Sequence, residues 1–188
     1  MPTEITKKRF TVDEYYRMAE IGILPERPRT ELINGEIIEV SAMGSRHAAV
    51  VSRINELFVP MFKGRATLRP QLPLRLDIHN EPEPDIVLLK PRRDGYAESH
   101  PGPADVFLAV EISASSLSYD RDVKLPIYAE FQLPEVWIVD ISRRSLLVYR
   151  QPTGSTHKIF QKFGAGERLN CLAFPEIVIE IDDLIGAE

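Results

Sequence analysis

Two carboxylates and one lysine have the residue types that metal-assisted hydrolysis requires. Asp85 follows Pro84 at the start of a short apolar run, Glu111 lies at the end of a longer apolar run, and Lys124 belongs to the helix predicted next. Two carboxylates at the end of a sheet suit Mg²⁺, which takes oxygen ligands and retains several waters. A nearby lysine could hold a phosphate or position an attacking water. Together the three residues would suit metal-assisted hydrolysis of a phosphodiester bond.

Each of these residues also has an ordinary structural interpretation. Asp85 could be a turn aspartate before a strand, and Glu111 could be a strand-end glutamate that reaches solvent. Lys124 could form a solvated pair with Asp120 on one face of a helix, together with Tyr128. A glutamate that stays buried, however, needs a partner, a metal or an altered protonation state. The combination of the three therefore favours chemistry over any one of them alone.

The helices and turns that would position these residues can be predicted from local patterns. A helix is predicted over residues 11–24, with Thr11 as N-cap and Glu14 as its capping-box partner. A hairpin is predicted over residues 30–40 because Asn34-Gly35 is a strong turn signal between paired strands. Further helices are predicted over residues 45–62 and 118–131, where apolar residues recur with the helical period.

Strands are predicted between and after these helices. They cover residues 66–76, 85–89, 106–112, 136–141 and 146–149, with 156–163 and 177–181 as additional edge strands. The nearly continuous apolarity of residues 106–112 and 136–141 indicates strands buried on both faces. The prediction is an α/β domain around a mixed sheet flanked by helices. One domain would span residues 1–188, with a core at about 44–150, an N-terminal helix and hairpin, and extra C-terminal strands.

Composition narrows the class of protein. With 188 residues, 44% hydrophobic and 27% charged, the chain has a globular rather than a disordered or coiled-coil composition. No apolar run approaches the length of a membrane span, and one cysteine excludes an intramolecular disulfide, so a cytoplasmic protein is predicted. The net charge of −5 argues against coating of nucleic acid by bulk charge. Residues 46–75 nevertheless carry six bases and one acid, which is either a patch that faces a polyanion or ordinary surface variation.

Several short motifs occur in an order that resembles a known family. They are Glu31-Leu32-Ile33-Asn34-Gly35-Glu36, His47 at a helix start, Pro84-Asp85, Val110-Glu111-Ile112-Ser113, Asp120 with Lys124 and Tyr128, and Val136-Trp137-Ile138-Val139-Asp140. This series resembles the Uma-two family of restriction-endonuclease-like bacterial proteins, within the PD-(D/E)xK nuclease superfamily. The resemblance spans roughly residues 11–150.

The resemblance implies a restriction-endonuclease-like fold and cleavage of DNA that depends on Mg²⁺ or Mn²⁺. Asp85 and Glu111 would bind the metal, and the carbonyl of Ile112 could be a further ligand. The superfamily's lysine lies two residues after the glutamate, at a position occupied here by Ser113. The Uma-two pattern takes its lysine from the following helix, where Lys124 fits.

Other residues would have supporting roles. Glu31 could be an extra acid beside the site or a structural hairpin residue. His47 could contact phosphate at the positive end of a helix, or cap or pack against that helix. Arg46 and Arg53 could face a DNA backbone or be ordinary exposed arginines. The same resemblance leaves Tyr128 as either a catalytic or a core residue.

Three functions remain open at this point. The first is a metal-dependent endonuclease, and the second is a catalytically inactive nuclease-fold binding module, since folds host many functions. The third is a protein-interaction partner, for which the alternating run at residues 174–185 could supply an edge strand. A homodimer formed through that edge is compatible with all three.

Overall fold

The computed structural model describes residues 6–25, 27–41 and 43–186, so the remaining parts of the predicted domain at residues 1–188 lie outside the described residues. The helices are α1 (Val12–Glu20), α2 (Ser45–Met61), α3 (Leu117–Tyr119), α4 (Leu125–Glu130) and α5 (Ile181–Ile185), with a 3₁₀ turn at Pro103–Asp105 and a π-helical turn at Asp120–Lys124. The strands are β1 (Arg29–Ile33), β2 (Glu36–Val40), β3 (Thr67–Pro70), β4 (Ile86–Leu89), β5 (Val106–Ser113), β6 (Glu135–Asp140), β7 (Ser145–Thr153), β8 (Thr156–Phe163), β9 (Arg168–Cys171) and β10 (Phe174–Glu180).

The N-terminal helix and hairpin form as predicted, with one difference in length. Thr11 caps α1, and Glu14 closes the capping box by accepting from the Thr11 backbone N–H at 2.9 Å. The helix ends at Glu20, before the predicted end at residue 24, because Gly22 takes a left-handed conformation with φ 75°. In the hairpin β1–β2, Asn34 and Gly35 both have positive φ, as a tight two-residue turn requires.

The main sheet has six strands in the order β3-β4-β5-β6-β7-β8 and is mixed, as predicted. Strands β4 and β5 are antiparallel, β5 and β6 are parallel, and β6, β7 and β8 are antiparallel. The parallel pair needs a crossover, which α3, the π-helical turn and α4 provide.

The strand predicted over residues 66–76 is too long. Strand β3 ends at Pro70, because Gln71 turns the chain with φ 50°. The backbone N–H groups of Leu74 and Leu76 donate instead to the carbonyls of Pro82 and Asn80, at 2.9 Å each. Residues 71–85 therefore form a connection that folds back on itself rather than extending the sheet.

Helices cover both faces of the sheet. On one face, Val50, Ile54 and Phe58 of α2 pack with Val110 and Ile112 of β5. On the other face, Ala109 of β5 packs with apolar residues of α4 and its neighbours, among them Leu125, Ile127, Tyr128 and Leu133. Because side chains alternate along a strand, Glu111 lies on the α4 face with Ala109.

The C-terminal strands form a separate two-stranded sheet, β9–β10, with a register irregularity between Phe174 and Val178. The strand predicted over residues 177–181 is present as part of β10, which lies outside the main sheet, and the run at residues 174–185 is a strand only as far as Glu180. Ile181, Leu184 and Ile185 are buried in the core cluster on the α2 face, so this end of the chain becomes helix α5. Strand β9 is an element that the sequence patterns do not predict.

Across the parts of the chain described here, every helix is too short or too polar to traverse a lipid bilayer.

Candidate functional site

A buried polar cluster centres on Lys124 at the end of the sheet where β5 ends and β4 begins. The Lys124 Nζ lies 3.3 Å from Glu111 Oε1 and 3.2 Å from Glu31 Oε1. The Tyr128 hydroxyl donates to the same Glu111 oxygen at 2.5 Å. Lys124, Glu111 and Glu31 are only 6%, 3% and 2% exposed, and Tyr128 is fully buried. The cluster thus joins β5, α4 and its π-helical turn with the N-terminal hairpin.

The π-helical turn sets the side-chain directions on this helical segment. The Leu125 backbone N–H donates to the Asp120 carbonyl five residues earlier, which adds one residue to the turn. Asp120 forms no hydrogen bond with Lys124, contrary to the solvated pair considered from the sequence. Its Oδ2 accepts from the hydroxyls of Ser113 and Ser116, at 2.6 and 2.7 Å. Ser113, at the expected lysine position, therefore fixes the start of the helix to the end of β5.

Asp85 lies just before β4 and is 7% exposed. Its Oδ2 accepts from the backbone N–H of Ile112 at 2.8 Å, and its Oδ1 pairs with His47 Nε2 at 2.8 Å. The Gln71 amide Nε2 also donates to Oδ1, at 3.2 Å. The Ile112 contact holds Asp85 beside the residue that follows Glu111. His47 in the first turn of α2 thus contacts Asp85, a partner that neither sequence interpretation of this histidine included.

The electrostatic environments of the three central residues differ. Burial alone would raise the pKa of Asp85, but the hydrogen bond and charge of His47, together with the hydrogen bonds from Ile112 and Gln71, lower it below its ordinary value. Burial raises the pKa of Glu111 to about 8, and the nearby charges of Asp120 and Asp85 add to this effect. Burial opposes protonation of Lys124, yet Glu111 and Glu31 raise its pKa and keep the ammonium charged.

The hydroxyl of Tyr128 stays neutral within this cluster. Burial raises its pKa well above the ordinary value, and the charge of Glu111 and the hydrogen bond to it act in the same direction. Tyr128 is therefore a core residue whose hydroxyl donates to Glu111, and its catalytic role stays a prediction.

The cluster is more open on the Asp85 side than on the Lys124 side. The side chain of His47 is 19% exposed, and Met43, which lies 3.8 Å from the Gln71 amide, is 42% exposed. Arg46 is exposed beside His47 in the first turn of α2. Arg53, the other predicted backbone contact, is partly buried, and its guanidinium lies against Gly186 after α5. The structure thus places Arg46, and not Arg53, close to the cluster.

The donor chemistry of the cluster suits a hard divalent cation. Asp85 and Glu111 offer carboxylate oxygens, and the charges of Glu31 and Asp120 make the surroundings strongly acidic around one lysine. A cation would also offset the burial that disfavours ionised Glu111. Within the described ranges, no three His, Cys, Asp or Glu side chains are grouped as a ready-made metal site. The two carboxylates would therefore need backbone oxygen and water to complete a coordination shell.

Comparison with known proteins places the chain in a family. Residues 12–182, from α1 to α5, match the model of the Uma2 family, described as "Putative restriction endonuclease". The chain belongs to this family. A crystal structure described as that of a putative nuclease belonging to DUF820 from Anabaena variabilis ATCC 29413 has a similar fold, with a TM-score of 0.73 and 20% identity over 94% of this chain and 97% of that one. No curated protein matches significantly.

These findings confirm the family resemblance and the fold class predicted from the sequence. The Uma2 match covers the helix and hairpin before the core as well as the C-terminal elements after it. Sequence reasoning missed Gln71, which contacts Asp85 from the end of β3, and Ser116, which donates to Asp120. The signal of Gln71 in the sequence is weak, because glutamine does not titrate and Gln71 lies inside a run that alternates like a longer strand.

Proposed function

We propose that this Uma2 protein is an endonuclease that hydrolyses phosphodiester bonds in DNA with the help of Mg²⁺ or Mn²⁺. The observation that carries the proposal is the convergence of Asp85, Glu111 and Lys124 at one end of adjacent strands. Lys124 is 3.3 Å from Glu111, and Asp85 is bonded to the residue that follows Glu111. A carboxylate pair with an adjacent protonated lysine is the equipment expected of metal-assisted phosphodiester hydrolysis.

Asp85 and Glu111 would hold the cation, with the Ile112 carbonyl as a further oxygen ligand. When bound, the cation would polarise the phosphate and lower the pKa of a coordinated water. The lowered pKa of Asp85 keeps this carboxylate ionised at neutral pH, which suits a ligand.

Lys124 would position the attacking water or neutralise negative charge that develops on the phosphate. Its raised pKa keeps all three ammonium protons available as donors. Glu31 would support this role, because its carboxylate lies 3.0 Å from Nζ and would hold the lysine in place. Tyr128 would orient Glu111 through their 2.5 Å hydrogen bond.

DNA would approach from the open side of the cluster, past His47 and Gln71. Arg46 is exposed there and would contribute phosphate contacts, whereas Arg53 lies away from the cluster against Gly186. Binding of this kind depends on salt, since phosphate contacts release counterions. A single domain over the whole chain, a homodimer and a cytoplasmic location remain part of the proposal as predicted from the sequence.

The experiment combines Mn²⁺ titration calorimetry with nicking of supercoiled plasmid. It uses the wild type, Asp85→Asn, Glu111→Gln and Lys124→Met, with Asp122→Asn as the control. Asp122 is exposed in the same π-helical turn and pairs with Arg121 at 2.7 Å, outside the cluster. We expect the two carboxylate variants to lose Mn²⁺ binding, all three cluster variants to lose nicking, and the control to keep both. A wild type that neither binds Mn²⁺ nor nicks DNA would refute the nuclease proposal.

A nuclease-fold binding module without catalysis is the second candidate. It is favoured by the hydrogen bonds within the cluster, since Lys124 contacts two carboxylates and Asp85 accepts from three donors. Such a network could be purely structural, and Ser113 occupies the superfamily's lysine position. DNA binding by the wild type in the absence of both metal binding and nicking would support this function instead.

A further inference from the structure

Gln71 forms hydrogen bonds to the segment around Asp85 through both its backbone and its side chain. It follows directly after β3 and has a left-handed backbone, with φ 50°. Its backbone N–H is shared between the carbonyls of Pro84 and Asp85, at 3.2 Å each. Its side-chain Nε2 donates to Asp85 Oδ1, also at 3.2 Å. One residue thus fixes both the main chain and the carboxylate of Asp85.

The left-handed backbone of Gln71 is a costly conformation for a residue with a side chain. Such conformations persist where the surroundings impose them, and they concentrate at functional sites. At Gln71 the conformation ends β3 and brings the N–H and the amide to the same neighbour. The alternative, continuation of β3 as the sequence suggested, would carry the amide away from Asp85.

The hydrogen-bond donors around Asp85 are divided unequally between its two carboxylate oxygens. An ionised carboxylate has about four acceptor positions, two on each oxygen. Among the residues that the structure describes, Oδ1 accepts from both His47 and Gln71, whereas Oδ2 accepts from the Ile112 backbone N–H alone. Without Gln71, Oδ1 would have an unused position of its own, and only His47 and the Ile112 backbone N–H would hold the carboxylate. With Gln71, the unused position lies on Oδ2, the oxygen next to β5.

We propose that Gln71 is a positioning residue for metal binding: together with His47 it occupies Oδ1 of Asp85, so that Oδ2 is presented toward Glu111 for the cation. This inference rests on the proposed function, because it assigns Gln71 a role at the same site. Gln71 itself is not a ligand. Hydrogen-bond partners of metal ligands commonly contribute about 10- to 100-fold to metal affinity.

The decisive variant is Gln71→Asn. Asparagine tolerates the left-handed backbone better than glutamine does, but its amide is one methylene shorter and would not reach Asp85. We expect Mn²⁺ to bind about 10- to 100-fold more weakly by calorimetry, with no loss of resistance to urea. A merely structural role predicts the opposite pattern, in which urea resistance changes and Mn²⁺ affinity does not. Gln71→Gly, which also relaxes the backbone, should reproduce the weaker binding.

Gln132→Asn is the matched control. Gln132 is also a glutamine with a left-handed backbone, at φ 58°, and its amide donates to the Ala129 carbonyl at 2.8 Å, outside the cluster. The Gln132→Asn variant should bind Mn²⁺ as tightly as the wild type does. If Gln71→Asn and Gln71→Gly bind Mn²⁺ as tightly as the wild type does, the role of Gln71 is refuted while the nuclease proposal stands. If the wild type does not bind Mn²⁺, both are refuted.

Discussion

Replacing Lys124 by methionine would remove the only ammonium among the buried carboxylates of the cluster as described here. Glu111 and Glu31, which are only 3% and 2% exposed, would remain without the Lys124 ammonium group, which lies 3.0 to 3.3 Å from their carboxylate oxygens. Breaking a buried ion pair from one side typically costs about 3–5 kcal/mol, because a charge is left uncompensated. For a chain of this length, that loss lowers Tm by about 10 °C. Methionine has a similar apolar stem, so lost packing contributes little.

The assay is urea unfolding at pH 8 and at pH 5, with a chelator present so that no metal replaces the lost charge. The destabilisation should be largest at pH 8 and smaller at pH 5, because burial raises the pKa of Glu111 and its stranded carboxyl takes up a proton as the pH falls. Lys158→Met is the control, since Lys158 is exposed on β8, and it should change the free energy of unfolding by less than about 0.5 kcal/mol.

Neutralising the partners should rescue the variant. Adding Glu31→Gln and Glu111→Gln to Lys124→Met removes the stranded charges, so the triple variant should be more stable at pH 8 than the single one. A Lys124→Met protein that matches the wild type in free energy of unfolding at both pH values would refute the claim that this lysine compensates buried charge.

Three further results are expected. With a chelator present, the free energy of unfolding of the wild type should fall as the pH rises from about 4.5 to about 8, because burial raises the folded-state pKa of Glu111 to about 8. Glu111→Gln should flatten this part of the pH profile measured by urea unfolding, and an unchanged slope would contradict the raised pKa of Glu111. Gly35→Ala should cost more than about 1 kcal/mol of unfolding free energy, because Gly35 has φ 71° and an added Cβ would lie 2.7 Å from the Arg9 Cβ; Gly154→Ala, at φ 55° in open space, separates the backbone cost from the clash. Cys171 should react with a thiol reagent at pH 7.5 only after denaturation, since it is fully buried and burial raises its pKa to about 12; rapid alkylation of the native protein would show that the C-terminal sheet opens.

The elements that local chemistry determines were predictable from the sequence. The capping box at Thr11 and Glu14, the Asn34-Gly35 turn and the apolar runs of β5 and β6 each depend on neighbouring residues, and each is where the patterns placed it. The errors occur where distant residues decide. Strand β3 stops early because Gln71 bonds to residues 84 and 85, and the last residues form a helix because their apolar side chains pack on α2.

The residues of the cluster were predictable by type, but their contacts were not. Asp85, Glu111 and Lys124 stand out because charged groups beside buried strands need partners. Which partners they find depends on long-range geometry. The Glu31 contact to Lys124 joins residues 93 positions apart, and the His47 contact to Asp85 joins residues 38 apart. Gln71 carries no charge that would have drawn attention to it.

The π-helical turn makes the length of this segment as important as its composition. Deleting one residue from Asp120–Lys124 would close the wide turn to an ordinary α-helix and keep the faces of α3 and α4 in register, whereas deleting one residue between Lys124 and Tyr128 would rotate Tyr128 by about 100° relative to Lys124. Ser113 and Asp120 anchor the start of the segment, while Tyr128 contacts Glu111 from beyond the turn. A one-residue deletion in α4 would therefore turn the tyrosine away from Glu111 even if every other side chain were kept. Natural variation in length here should fall within the π-helical turn and leave the spacing from Lys124 to Tyr128 unchanged.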